Sequence, residues 1–347
     1  MIKVLKKINK SLNLHNLDVF LVSNPKNVSY LSGFTGMDSY LLIFKSSRPA
    51  FLTDNRYLLQ AKKELKGFDI ICNNEPLVKK LAQKLKSEKI RTLGVESLHL
   101  SYGSVVQIQK ALKIRLRPLA GLVENLRIIK TDSEIEKIKK SIRISLKSFN
   151  ETIRFIKPQK SELEIAGFLE FCMRKFGATN AAFPSIVACS RNSALCHAVP
   201  SNKKIKRQQP IIIDFGCCYK GYNSDLTRTI MLGKIDASYM YIYNIVKQAQ
   251  STAISAIKPG IKASVIDKIA RDYIESHGFG RFFIHSTGHG IGRDVHELPS
   301  ISQKSNYALR PGMVFTVEPG IYIPGWGGVR IEDMVLVTAK ACKILTR

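Results

Sequence analysis

The chain has 347 residues, 45% of them hydrophobic, and no apolar run near the roughly 20 residues a membrane-spanning helix requires. That composition excludes a disordered chain and an integral membrane helix, and it leaves room for two domains with substantial cores. Its 54 Lys and Arg against 27 Asp and Glu give a net charge of +27, which raises the question of an anionic partner. The excess is spread: residues 1–125 hold 21 basic against 9 acidic residues, and residues 126–347 hold 33 against 18. The tightest basic cluster, Lys203, Lys204, Lys206 and Arg207, has no aromatic residues interleaved, so no dedicated nucleic-acid face is expected. Seven cysteines with no CxxC spacing read as reduced thiols. The basic N-terminal stretch lacks a continuous apolar segment and a small-residue cleavage site. It reads as an amphipathic helix, and the cytoplasm is the expected location.

Residues 1 to about 118 alternate strand-like and helix-like segments. LDVFLVS (17–23), SYLLIF (39–44), PAFLT (49–53), FDIIC (68–72) and RTLGVE (91–96) predict strands. A helix over 25–34 opens on Pro25 and closes near Gly33, and further helices are predicted near 55–66, 75–88 and 101–112. This is an α/β domain around a mixed sheet, with no glycine loop of the kind that cradles phosphate. Its distinctive local strings are GFTG (33–36) and TDNRY (53–57). Residues 119–130 form a junction, and the domains are expected to be 1–125 and 126–347.

Beyond the junction, Thr131 and Glu134 form a capping-box pattern. Apolar residues at 135, 138, 142, 146, 149, 153 and 156 then predict a long amphipathic helix ending before Pro158. A second helix is predicted from about Ser161 to Lys175. The layout returns 101 residues later: IKPQKSELEIAGFLEFCMRKFG (156–177) is echoed by IKPGIKASVIDKIARDYIESHG (257–278). Each helix pair leads to a strand–turn–strand, which indicates an internally duplicated domain with pseudo-twofold symmetry.

The first hairpin, IIIDFGCCYKGYNSDLTRT (211–229), turns at Lys220-Gly221. A two-residue loop pairs Tyr219 with Tyr222 and sets Asp225 opposite Gly216. Asp214 then lies on the same face, with the two acids diagonal neighbours about 7–8 Å apart at the backbone. In the second hairpin, VFTVEPGIYIPGWGGVRIEDMVLVT (314–338), a five-residue loop over 324–328 pairs Ile323 with Val329. That count sets Glu332 opposite Gly320, with Glu318 on the same face two residues away.

Four carboxylates gathered in this way repel one another unless a cation joins them. HSTGHGIGRDVHE (285–297) supplies His285, His289 and His296 as nitrogen donors in a Gly-rich segment. Taken singly, a strand Asp is usually an edge or turn residue, and a His beside Gly is usually a loop histidine. Acids at matched positions of two related hairpins multiply the coincidence.

The constellation resembles the M24 metallopeptidases of the pita-bread fold, which include methionine aminopeptidase, Xaa-Pro aminopeptidase and Xaa-Pro dipeptidase. The strings that carry the resemblance are IIDFGCCYKGYNSDLTRT, STGHGIGRDVHE, TVEPGIY and GVRIEDMVLVT. It is strong over about 130–347, and weaker over 1–125, which looks like the creatinase/prolidase-type N-terminal domain. The resemblance implies that Asp214, Asp225, His289, Glu318 and Glu332 hold two divalent ions, bridged by Asp225 and Glu332. Mn is the expected metal, with Co or Zn as alternatives. It further implies Glu318 as proton shuttle, His197, His285 and His296 along the substrate site, and Arg330 orienting a ligand carboxylate.

The N-terminal domain, the placement of His285 and the GVRIEDM string favour the proline-directed branch over methionine aminopeptidase. The expected activity is release of the first residue from peptides with proline second. Xaa-Pro dipeptidase is the alternative, followed by methionine aminopeptidase and by a non-enzymatic nucleic-acid-binding relative. Proline-containing peptides are the expected partners, and the family resemblance implies a homodimer or higher oligomer.

Overall fold

The computed structural model describes residues 2–86, 88, 90–234 and 236–347. Met1 and Ser87, within the helices expected at the N-terminus and over 75–88, lie outside the described residues. The chain divides into two compact units, Met1–Leu126 and Arg127–Arg347.

In the first unit six strands form one mixed sheet: β1 Val19–Val22, β2 Tyr40–Phe44, β3 Ala50–Thr53, β4 Asp69–Cys72, β5 Thr92–Glu96 and β6 Arg115–Leu119. Their order is β4-β3-β2-β1-β5-β6, with β1 parallel to β5 and antiparallel to β2. Alternation along β1 sends Phe20 and Val22 to one core and Val19 and Leu21 to the other, so all four positions are buried. The helix Pro25–Ser32 starts where Asn24 accepts from the Lys26 N–H, and it stops at Gly33 with φ 82°. Five of the strands form where the sequence predicts them, slightly trimmed. β6 is unexpected. It carries Arg115, Arg117 and Pro118, the charged and proline-bearing composition of an edge strand, so it lacks the apolar signature of the other five.

The second unit carries the duplication. Both capping boxes close, Thr131 with Glu134 opening the helix Asp132–Phe155 and Ser161 with Glu164 opening Glu162–Lys175. Their counterparts in the second half are Ala237–Ser255 and Ala263–Ser276. The stripe predicted for the long helix is only partly apolar: Ile135, Ile138 and Ile142 are buried, but Ile153 is 38% exposed. The rest of the buried face is Glu134, Ile144, Ser141, Ser145, Ser148 and Thr152. Ser141 and Ser145 let the first hairpin approach: Ser141 Oγ donates to the Cys217 carbonyl at 2.6 Å, and Ser145 Oγ bonds Ser224 Oγ at 2.9 Å.

In that hairpin Tyr219 pairs with Tyr222, and farther on Phe215 pairs with Leu226 and Asp214 with Thr227. The register continues across an interruption at Gly216, so Asp225 falls opposite Gly216 as expected. A Cβ on Gly216 would lie 1.8 Å from the Ser224 carbonyl oxygen, so no other residue fits this crossing.

The second hairpin corrects the sequence reading. Ile323 pairs with Gly327 and Ile321 with Val329, leaving a three-residue loop over 324–326. Gly325 takes φ 77° in this tighter turn, and Trp326 stacks on Tyr239 with ring centroids 4.0 Å apart. The strands pair again at Val317↔Asp333, so Glu318 faces Glu332 directly rather than diagonally. The shift is two residues, an even number, so both acids keep the predicted face.

Candidate metal centre

Asp214 lies in the strand Gln209–Phe215, and Asp225 stands just before Leu226–Leu232. Glu318 and Glu332 occupy the interruptions between Val314–Val317 and Gly320–Ile323, and between Gly327–Arg330 and Asp333–Val337. His289 comes from the short strand Gly288–Gly290, at a bulge against its neighbour that re-aims the side chain. Its Nδ1–H donates to the Gly290 carbonyl at 3.1 Å, which leaves Nε2 facing Glu318 Oε1 at 3.2 Å and Asp225 Oδ2 at 3.6 Å. Asp225, His289 and Glu332 each bring a donor atom, all within 4.8 Å of one another.

The other two predicted ligands share the cavity and are held by neighbours. Asp214 Oδ2 accepts from Arg330 at 2.7 Å, and Glu318 Oε1 accepts from Thr316 Oγ1 at 2.9 Å. A single cavity of about 460 Å³ is lined by all nine residues singled out in the sequence, His197, His285, His296 and Arg330 included.

Electrostatics show what the cavity lacks. Burial pushes the Asp225 and Glu332 carboxyls well above the usual range, and the neighbouring carboxylates add to the shift. Asp214 is raised by burial despite Arg330. Glu318 alone is held down, to about 2: burial opposes this, but the hydrogen bond and charge of His289 outweigh it. His289 is raised in turn, because Glu318 overcomes the cost of burial. Two buried carboxylate oxygens, Asp214 Oδ1 and Glu332 Oε1, have no hydrogen bond. Buried acceptors of this kind are costly when left unmatched, and a divalent cation matches them. The oxygen-rich donor set with one imidazole fits such an ion.

Around this group lies a set of ordinary residues that sequence reasoning passed over. Tyr322 OH accepts from Arg330 Nη1 at 2.7 Å and donates to His285 Nε2 at 2.9 Å, since His285 Nδ1 is committed to the Ser286 carbonyl. Thr227 Oγ1 donates to Glu332 Oε2 at 2.8 Å and accepts from Arg330 Nε at 3.0 Å. Arg330 Nη1 also reaches the Cys196 carbonyl at 3.1 Å, beside His197. The histidine segment is fixed from behind by Asp267, which accepts from the Thr287 N–H and pairs with Arg271. Parity was a usable signal for three of these residues: Thr227 alternates with Asp225, while Thr316 and Tyr322 alternate with Glu318. Burial lowers the pKa of His285 and His296, which favours the neutral imidazole in both.

Acid-bearing hairpins related by an internal duplication are the architecture of the pita-bread metallopeptidases, and the second unit is built in that way. Residues 136–339 match Metallopeptidase family M24 and residues 5–129 match the Creatinase/Prolidase N-terminal domain; the chain belongs to family M24. It is 40% identical to an Xaa-Pro dipeptidase of Pyrococcus horikoshii over 347 residues, covering 99% of this chain and 96% of that one. Among solved structures it resembles an Xaa-Pro dipeptidase from Bacillus anthracis, with a TM-score of 0.97 and 41% identity over 100% of this chain and 97% of the other. It also resembles an X-Pro aminopeptidase from Thermotoga maritima, with a TM-score of 0.91 and 38% identity over 97% of each.

Proposed function

We propose that this metallopeptidase hydrolyses the Xaa-Pro bond of dipeptides, with two divalent ions held by Asp214, Asp225, His289, Glu318 and Glu332, Mn²⁺ first among the candidates. The observation that carries the reading is the pair of buried carboxylate oxygens without hydrogen bonds, Asp214 Oδ1 and Glu332 Oε1, in the cavity shared by all five. Bound there, the ions would supply Lewis acidity and a water acidified towards neutral pH.

The side chains supply the rest. The prolyl nitrogen of an Xaa-Pro bond carries no hydrogen and needs a proton to leave as a secondary amine. Glu318 would take a proton from the attacking water on its carboxylate and return it to that nitrogen. His285 and His296 line the cavity and would flank the scissile carbonyl, with burial favouring their neutral form. Arg330 holds the Asp214 carboxylate in place through its 2.7 Å pair. Phe183, Pro184, Ile186 and Val199 give the cavity an apolar wall against which a proline ring packs.

Dipeptides are favoured because near-full-length relatives at 40% and 41% identity are Xaa-Pro dipeptidases. The aminopeptidase activity expected from the sequence retains support from the Thermotoga maritima structure. Hydrolysis of an Xaa-Pro dipeptide and of an Xaa-Pro-Xaa tripeptide under Mn²⁺ separates the two. Cleavage of the dipeptide alone is expected. Release of the first residue from the tripeptide with equal or higher kcat/KM would return the chain to the aminopeptidases. Inertness to both substrates with Mn²⁺, Co²⁺ and Zn²⁺ would overturn the peptidase reading.

A further inference from the structure

Gln250 is fully buried in the middle of the helix Ala237–Ser255, a place where an amide is costly unless both of its ends are bonded. Its Nε2 donates to two carbonyls, Val317 O at 3.0 Å and Ile331 O at 3.1 Å. These belong to the residues immediately before Glu318 and Glu332. The orientation of the amide is settled by its partners. Two carbonyls can only accept, and Arg347, whose Nη2 lies 3.2 Å from Gln250 Oε1, can only donate. Arg347 is in turn paired with Asp333, the residue after Glu332, at 2.7 Å.

The contact falls where the hairpin ladder is interrupted, between the Val317↔Asp333 and Gly320↔Arg330 pairs. Within that gap the two glutamates are tied to different parts of the unit. The Glu318 N–H donates to Thr287 O at 2.8 Å, in the histidine segment, and the Glu332 N–H donates to Thr227 O at 3.1 Å, in the first hairpin. Across the gap the Ile331 N–H reaches Pro319 O at a long 3.5 Å, and Gln250 adds a tie between the peptide units that precede the two glutamates. With one nitrogen bonded to both preceding carbonyls, the two peptide units cannot separate without losing a bond.

We propose that Gln250 is a positioning residue that sets the spacing of Glu318 and Glu332, and through it the affinity of the cavity for divalent metal. The proposal rests on the reading that these glutamates are metal ligands. A side chain of the same length without donors would fill the same volume, so packing alone does not call for an amide here.

The test is Gln250→Met, measured by calorimetric titration of the metal-stripped protein with Mn²⁺ and by its thermal midpoint without metal. Mn²⁺ affinity is expected to fall roughly 10- to 100-fold, the usual effect of removing a group that orients metal ligands. A residue serving only the fold would lower the midpoint and leave the affinity of the folded fraction unchanged. Mn²⁺ binding within about twofold of wild type, a difference well under 1.4 kcal/mol, would therefore overturn the proposal. Should Gln250→Met fail to fold, Arg347→Met leaves the amide in place but removes the partner of its oxygen, loosening its hold on the two carbonyls. Weaker Mn²⁺ binding is expected there too, and unchanged binding would count against the proposal in the same way. Wild-type protein that takes up no Mn²⁺, Co²⁺ or Zn²⁺ would instead overturn the metal reading itself, and this proposal with it.

Discussion

Asp225 faces strong electrostatic opposition in the cavity: burial and the charges of Glu332, Asp214 and Glu318 act against its ionised form, and Arg330 offsets them only in part. Asp225→Asn removes one buried negative charge together with one proposed ligand. Hydrolysis should fall to background and Mn²⁺ titration should show lost binding, while denaturant melts in chelator show metal-free stability equal to or above wild type. Near-normal turnover would refute a bridging role for this carboxylate. Tyr322→Phe probes the layer behind it. The change removes the partner of His285 Nε2 and one acceptor of Arg330, and kcat/KM should fall about 10- to 100-fold with the metal still bound. An unchanged kcat/KM would show that the hydroxyl serves packing only. The four acids were legible because carboxylates are rare in apolar strands and alternation gives their face; His285, His289 and His296 were legible as a cluster in a Gly-rich segment, and His197 came from the family resemblance alone. Gln250 was not, because an amide in a helix has no local pattern, and its role arises from two carbonyls 67 and 81 residues away.

At the scale of elements, the caps and turns decide how well the duplication shows. The Thr131 capping box was read from Thr and Glu three residues apart; the Ser161 box has the same spacing, emerged with the structure and can be tested. Ser161→Ala should destabilise the second unit by about 1 kcal/mol, read as a fall of about 2–4 °C in its melting temperature. A shift below 1 °C would mean that the cap is replaced by water at no cost. Its partner Glu164 is held down to about 2, first by the Ser161 N–H and then by Lys204 and Lys160. A carboxyl lowered on folding adds stability that is complete above its ordinary value of 4.5 and fades as pH falls towards 2. Glu164→Gln should therefore weaken the protein at pH 7 and flatten its loss of stability below pH 4.5, measured by denaturant melts across that range. An acid limb identical to that of wild type would exclude the contribution. The second hairpin shows where reading by elements stops. Parity survived a miscounted loop, so the face of Glu318 and Glu332 was right. Their direct opposition depended on a three-residue turn shaped by Gly325 and by Trp326 on Tyr239, a contact across 87 residues of sequence. The edge strand β6 was hidden for a related reason, because its partner β5, not its own composition, makes it a strand.

For the whole molecule, a net charge of +27 coexists with an acidic cavity that contains a single guanidinium among four carboxylates. Excess charge on the exterior is screened within about 8–10 Å at ordinary ionic strength, so it does little for carboxylates buried in a cleft. The compensation has to enter the cavity as an ion, and every residue lining that cavity belongs to the unit Arg127–Arg347. The location of the metal's stabilising effect follows. An ion that binds the folded state alone at 100 times its Kd adds about 2.7 kcal/mol. That gain should appear as slower amide exchange in the hairpins over 209–232 and 314–337, which carry the acids and are joined through Thr227 and Glu332. The sheet β1–β6 contributes nothing to the cavity and serves as the internal reference. Hydrogen exchange followed by mass spectrometry, in chelator and then at saturating Mn²⁺, should show protection rising most in those hairpins and reversing when the metal is stripped again. Exchange in the hairpins that ignores Mn²⁺, in protein that demonstrably binds it, would place the ion away from the four carboxylates and refute the site.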